Sequence, residues 1–447
     1  MNDLQSLHNE KLGWATKYPA LCLFPYNTVD LRKPNSPQDQ LYVTCCCNLD
    51  TTQFTQGPLD DPFQEIKQSM ERGVLPPACR ACAQEEQHGG QSERLRNKLD
   101  KSELKILEFV KSKKVERFEF RIKFSSLCNL SCRSCAATES TTYAKITKNN
   151  DFIHLTQDIA ELDNHWKFIT DTILKKVNQY ENFDLHLMGG EPLIQAGVEK
   201  LFTWIFENKL GGLITLKLTT ALSVNLSDKM LSYFDQFRHV RFNLSIDSVG
   251  ANYQYVRWPV KFEKIETNFA RILEYKKTSQ SWTQFEFSLD PVFSLNNIFY
   301  LPEYLDYWYL WFIEHDLSLQ LINTAILSHT NHLDVQALPT KYRSYLRQIL
   351  QDCLSHPILI KQSANMLHLY GFIKSTIVEL DKWPENDLLW DRYLSHTAEF
   401  DQRTNTKFSI LNKKLYDLLN IEDQICFNNK LQLVDTNTRF MLQLTNV

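Results

Sequence analysis

Between Arg117 and residue 325 the chain alternates six short β-rich runs with helical stretches, and this alternation limits its fold more than any other feature. The runs are FEFRIKF from Phe118, DLHLM from Asp184, ITLKLTT from Ile214, VRFNLSI from Val240, FEFSLD from Phe285 and LSLQLIN from Leu317. Helical stretches such as VEKLFTWIFENKL from Val198 and IETNFARILEYKK from Ile265 lie between them. Strand, helix and parallel strand in repetition predict an α/β sheet with right-handed crossovers. Six such units suit a partial (β/α)6 TIM-like barrel better than a closed eight-stranded one.

The flanks differ from this middle segment, so the sequence divides into 1–116, 117–325 and 326–447. In the first segment Pro25, Pro34, Pro37, Pro58, Pro62, Pro76 and Pro77 break every periodic stretch, which predicts an irregular, cysteine-rich module short of its own core. A helix is expected from Glu93 to Lys114, where Leu95, Leu99, Leu104, Leu107 and Val110 fall near helical spacing. The last segment reads as mainly helical, and the aromatics of HLYGFIKSTIVELDKWPENDLLWDRYL read as packing residues.

The net charge of -4 gives no general electrostatic drive toward nucleic acid or an anionic membrane. No apolar run is long enough to span a bilayer, and MNDLQSLHNEKLGW lacks the charged-then-apolar pattern of a secretion signal. A cytoplasmic protein is expected. In a reducing compartment eleven cysteines argue for metal ligation or reactive thiols over a disulfide framework. Nine of them precede residue 136, and Cys353 and Cys426 read as ordinary buried thiols.

Three of the nine form CNLSCRSC, in which Cys128, Cys132 and Cys135 follow a Cys-x3-Cys-x2-Cys spacing. Three soft thiolates can hold three irons of a four-iron cluster and leave the fourth iron open for chemistry. On spacing alone, a zinc site with a distant fourth ligand such as His154 stays open. The motif begins in the loop after the first predicted strand, at the carboxyl edge where parallel α/β folds collect ligands. The second strand runs into MGGEP, Met188 to Pro192, at the same edge. Paired glycines let backbone groups approach a ligand closely, although a plain strand-to-helix turn would also account for them.

Taken together the two motifs resemble the radical S-adenosylmethionine (SAM) enzymes, in which a Cys-x3-Cys-x2-Cys loop follows the first strand of a six-unit partial barrel and Gly-Gly-Glu-Pro follows the second. The resemblance covers residues 117 to about 325. It implies that Cys128, Cys132 and Cys135 hold a 4Fe-4S cluster whose fourth iron is chelated by SAM. It further implies that Gly189, Gly190 and Glu191 meet the SAM amino group, largely through backbone oxygen. Thr219 and Thr220 at the end of strand three, and Asn243, Ser245 and Asp247 at the end of strand four, match positions that touch ribose and carboxylate. Arg257 matches an arginine often found near this site, though a solvated loop arginine beside Trp258 is an equal reading. The implied activity is reductive cleavage of SAM to a deoxyadenosyl radical that abstracts hydrogen from a substrate. No acid-base triad is required, and no histidine pairs with a nucleophile in a recognisable motif.

Cys22, the triplet Cys45 to Cys47, and Cys79 with Cys82 form a second constellation, with Cys-x2-Cys spacing in the last pair. It reads as a further metal site, either a second, auxiliary 4Fe-4S cluster or zinc. The region resembles the twitch and SPASM-type accessory modules of peptide-modifying radical SAM enzymes, although those usually follow the barrel and this one precedes it. Alternation along a strand would put Cys45 and Cys47 on one face and Cys46 on the other, so Cys22, Cys45, Cys79 and Cys82 are the expected ligands. The following stretch with His88, Gly89 and Gly90 reads equally as a turn or a functional loop.

The resemblance implies a peptide or protein substrate whose side chain is modified, and an external one-electron reductant such as flavodoxin or ferredoxin. A nucleoside or small metabolite as substrate, and a cluster-binding sensor or scaffold without catalysis, stand as alternatives.

Overall fold

The computed structural model describes residues 17–32, 42–46, 63–87, 92–99, 102–149, 158–279, 283–317, 325–326, 332–361 and 366–444. They group into two compact units, each discontinuous in sequence. The first comprises residues 1–129, 151–244 and 270–288, and the second 130–150, 245–269 and 289–447.

A seven-stranded sheet forms the first unit. Its strands are β1 (Thr28–Arg32), β2 (Tyr42–Thr44), β3 (Arg117–Ile122), β5 (Asn182–Leu187), β6 (Ile214–Thr220), β7 (His239–Leu244) and β9 (Gln284–Leu289), while the two-residue strands β4 (Ser131–Cys132) and β8 (Arg257–Trp258) pair elsewhere. The order is β2-β1-β3-β5-β6-β7-β9. Pairs β1/β3, β3/β5, β5/β6 and β6/β7 are parallel, and β2 adds to β1 antiparallel. The sheet is open, with helices in its crossovers, as expected of a partial α/β barrel. Five of the six predicted strands are present, and the sixth lies outside the described residues from residue 318 onward.

Strand alternation sorts the two faces. Phe118, Phe120 and Ile122 align in register with Phe183, Leu185 and Leu187, then with Ile214, Leu216 and Leu218. All are nearly inaccessible to solvent, and the ring of Phe120 lies against Phe168 on the helix Asp163–Val177. The opposite face is polar: Arg117, Glu119 and Arg121 align with Asn182, Asp184 and His186, and the row continues through Lys217 to Arg241. Helices cover the apolar face because only there does their burial remove hydrocarbon from water.

Two expectations need correction. The proline-rich first segment is not wholly irregular, because TVDLR forms β1 in the main sheet with Asp30 and Leu31 fully buried. At five residues, this strand is too short for its alternation to stand out. The stretch from Glu93 to Lys114 is two helices, Glu93–Leu99 and Glu103–Ser112. The second starts anew at Ser102, whose side chain accepts a hydrogen bond from the Lys105 amide at 3.3 Å.

The second unit is mainly helical, as expected of the carboxyl-terminal segment. Its long helices include Leu301–Glu314, Thr340–Cys353, Leu367–Glu379 and Asp387–Thr404. Trp308, Tyr393 and Phe408 are almost completely buried, so its aromatics do pack a core. Among the described residues no helix is long and apolar enough to cross a membrane.

Candidate cofactor and metal site

In the first unit the MGGEP turn sits against the backbone that leads into the cysteine motif. Glu191 donates its amide to the carbonyl of Leu127 at 2.9 Å, one residue before Cys128. Gly190 has a left-handed φ of 56°, and a Cβ there would collide with the same Leu127 carbonyl. Gly189 is also left-handed, at 81°, and the Lys123 side chain occupies the space its Cβ would need. The paired glycines are therefore required by close packing as well as by turn conformation.

Gln195, which carries no motif signal, joins the two segments. Its Nε2 donates to the carbonyls of Gly189 at 2.8 Å, Ser125 at 3.2 Å and Leu127 at 3.3 Å. Its Oε1 accepts the Ser125 amide at 3.3 Å. The residue is 4% exposed, so these bonds act where competing water is scarce.

The Glu191 side chain points inward and is occupied. It accepts from the Thr220 hydroxyl at 2.7 Å, the Ala221 amide at 3.1 Å and the Leu193 amide at 3.3 Å. It thus ties the ends of β5 and β6 together, and only the main chain of the turn remains for a ligand. Thr219 instead faces His186, with Oγ1 2.8 Å from Nε2, while His186 Nδ1 lies 3.0 Å from Glu119. Sequence motifs gave no sign of this Glu-His-Thr chain, because strand register creates it. Burial drives the His186 pKa below its usual value against the opposing pull of Glu119. Burial would raise that of Glu119, but Arg121, Lys217 and His186 together hold it well below the ordinary carboxylate range. Asn243 accepts from Ser288 Oγ at 3.1 Å.

In the second unit Cys132 lies on β4, opposite Arg257 on β8. Arg257 grips Asp247 with two nitrogens, Nε to Oδ2 at 2.7 Å and Nη2 to Oδ1 at 2.9 Å. Its Nη1 is 3.6 Å from the Cys132 sulfur. Arg257 is thus a buried partner of Asp247 and Cys132, not the solvated loop residue of the alternative reading. Cys135 donates its amide to the Cys132 carbonyl at 2.9 Å, and Ser245 is partly exposed at the end of the same segment as Asp247.

Arg133, between the last two cysteines, is 1% exposed. Its guanidinium lies over the Tyr255 ring at 3.6 Å and near Phe400 at 4.6 Å. It pairs with Asp401, donates to Thr406 Oγ1 at 2.9 Å and bonds the Tyr255 carbonyl at 2.8 Å. The helix Asp387–Thr404 therefore anchors the cysteine loop, a role no local pattern in that helix reveals.

The amino-terminal thiols gather in the first unit. Cys22, Cys45, Cys46, Cys79 and Cys82 line one cavity with Arg94. All five are buried, whereas Cys128, Cys132 and Cys135 are half-buried. Strand alternation does not separate Cys45 from Cys46, because β2 ends at Thr44 and the backbone bends, which puts both thiols on the cavity wall. Cys47, His88, Gly89, Gly90 and His154 lie outside the described residues. Burial, reinforced by Cys46, pushes the Cys22 thiol well up, and burial with Cys46 and Cys82 takes Cys79 to about 12. A hydrogen bond to Cys46, then burial, raises Cys45. Arg94 counters on Cys79 and is held in place by Glu86. Among the described residues no three His, Cys, Asp or Glu side chains stand ready-spaced as a metal cage.

No family profile matches the chain, and no curated protein does. Native anSMEcpe with bound AdoMet and Cp18Cys peptide is 17% identical over 56% of this chain and 62% of that one, at a TM-score of 0.38. Native anSMEcpe with bound AdoMet is 15% identical over 56% and 63%, at 0.40. Streptococcus suis SuiB bound to precursor peptide SuiA is 13% identical over 73% and 69%, at 0.33. The chain thus spans less than two thirds of the anSMEcpe chains it matches. At these scores the likenesses carry no part of the functional argument.

Proposed function

We propose that the protein is a radical SAM enzyme that modifies a peptide or protein side chain. The observation that carries this reading is the packing of the MGGEP turn onto Leu127, which fixes the glycine turn beside the start of the cysteine motif. Cys128, Cys132 and Cys135 would hold a 4Fe-4S cluster, and their donor chemistry fits it: three soft thiols, none deeply buried, with an arginine N–H directed at one sulfur. The chemistry supplied when cluster and SAM are bound is reductive cleavage to a deoxyadenosyl radical and hydrogen abstraction from the substrate.

The chain's own residues position and enclose. Gly189 and Gly190 would offer backbone oxygen to SAM, and Gln195 orients the Gly189 carbonyl. Glu191 and Thr220 brace the turn from behind, Thr219 and Asn243 lie at strand ends on the polar face, and Ser245 offers a hydroxyl. Asp247 and Arg257 would act as a fixed pair, their mutual bonds leaving little of Asp247 for a ribose.

The amino-terminal thiols would hold a second, auxiliary 4Fe-4S cluster, with zinc as the other candidate, in an accessory module like the twitch and SPASM type. Cys22, Cys79 and Cys82 with Cys45 or Cys46 give a four-thiolate set, and the buried Arg94 would offset its negative charge. Closure of the cage then accompanies metal binding. The peptide substrate, a flavodoxin- or ferredoxin-like reductant and a cytoplasmic setting belong to the same reading.

Anaerobic reconstitution followed by electron paramagnetic resonance (EPR) tests it. The reading expects a reduced-cluster signal that changes on adding SAM and disappears in Cys132→Ser. The absence of any reduced-cluster signal that responds to SAM would contradict it.

A further inference from the structure

We propose that Arg257 tunes the SAM-binding cluster: held by Asp247, it donates an N–H to the Cys132 sulfur and raises the reduction potential of the cluster this cysteine helps to hold. The inference rests on the cluster reading above and adds a function to a residue that the family resemblance assigned to SAM.

Arg257 is aimed from two sides. Antiparallel pairing of β4 with β8 sets Cys132 directly opposite Arg257, and the Arg133 amide extends the contact by bonding the Val256 carbonyl at 2.9 Å. Asp247 takes Nε and Nη2 in a bidentate grip, which leaves Nη1 facing the sulfur at 3.6 Å. A planar guanidinium held at two nitrogens has little freedom at the third.

Asp247 is itself fixed. Its Oδ1 also accepts the Val292 amide at 2.9 Å, and its carbonyl accepts Asn297 Nδ2 at 2.7 Å. Arg257 and Asp247 are 8% and 3% exposed, so solvent screens the Nη1-to-sulfur contact poorly. The carboxylate takes Nε and Nη2 while Nη1 is the group directed at the sulfur, so the sulfur meets the cationic N–H. Reduction adds one electron to a cluster whose ligand sulfurs share its charge, and a cationic N–H at one of them favours the reduced state. The consequence is functional, since a higher potential brings the cluster within reach of an external one-electron reductant.

The test is an EPR-monitored potentiometric titration of the anaerobically reconstituted full chain without SAM, following the signal first identified as the SAM-binding cluster's by its change on adding SAM. Arg257→Gln removes the charge and should lower the midpoint by at least about 59 mV, a tenfold change in the equilibrium constant for one electron. Arg257→Lys keeps the charge without the fork and should fall between the two. An unchanged midpoint in Arg257→Gln, with the cluster signal intact, overturns the proposal, even if SAM affinity drops. If Arg257→Gln assembles no cluster, Arg257→Lys decides: a lowered midpoint supports the proposal and an unchanged one overturns it. Failure of the unaltered protein to assemble a cluster would instead remove the cluster reading, and this inference with it.

Discussion

The amide of Glu191 donates to the carbonyl of Leu127 at 2.9 Å, so the glycine turn after β5 is fastened one residue ahead of the first motif cysteine. The bond joins backbone 64 positions apart in sequence, so the glycine turn and the chain just ahead of Cys128 are held together. Adding a methyl group at Gly190 attacks this contact directly. Gly190→Ala places a Cβ on the Leu127 carbonyl at a left-handed φ, combining a clash with backbone strain. It should destabilise the fold by about 1–3 kcal/mol and weaken SAM binding to the reconstituted protein at least about tenfold. Denaturant unfolding and calorimetric titration with SAM check the two effects.

Gln195 predicts a graded outcome. Gln195→Glu keeps the shape but turns a donor into a carboxylate facing the carbonyls of Gly189, Ser125 and Leu127. It should be more harmful than Gln195→Ala, because a buried charge without donors costs more than a lost hydrogen bond. Thermal melts of both variants read the order.

The Arg133–Asp401 pair ties the cysteine loop to the helix Asp387–Thr404. Asp401→Ala leaves a buried guanidinium uncompensated and should cost about 3–5 kcal/mol. The double variant Arg133→Met with Asp401→Leu should recover most of that loss, since an apolar pair needs no charge partner. Chemical denaturation of the single and double variants forms the test.

His396 predicts a pH dependence. Burial, together with His332, Arg133 and Arg403, lowers its pKa from 6.5 to about 3. The unfolded chain therefore takes up a proton below about pH 6.5 that the native state refuses. Stability from this residue is fully present above that pH and declines as pH falls toward about 3, by at most about 1.4 kcal/mol per pH unit. His396→Phe should flatten the slope in this window. Unfolding free energies measured between pH 7 and 4 check it.

The fold was largely legible because its strands are regular: FEFRIKF, DLHLM and ITLKLTT alternate cleanly, and the first two end at chemically marked loops. The site was legible only where one short segment carries the signal, as in CNLSCRSC and MGGEP. Gln195 was not, since its role depends on where three distant carbonyls arrive. Asp401 meets Arg133 across 268 positions, and no local pattern records such a pairing. His186 gains its partners from the register of β3, β5 and β6, which alternation alone leaves undetermined. Cys46 was misplaced because strand alternation was applied to cysteines that lie past the end of β2 at Thr44.

The most direct measurement is deoxyadenosine formation by the anaerobically reconstituted full chain, supplied with dithionite and SAM and followed by chromatography. The account predicts deoxyadenosine in step with methionine, abolished in Cys132→Ser and retained when Cys79 and Cys82 are replaced together. A reduced, cluster-loaded protein that binds SAM and yields no deoxyadenosine would contradict it.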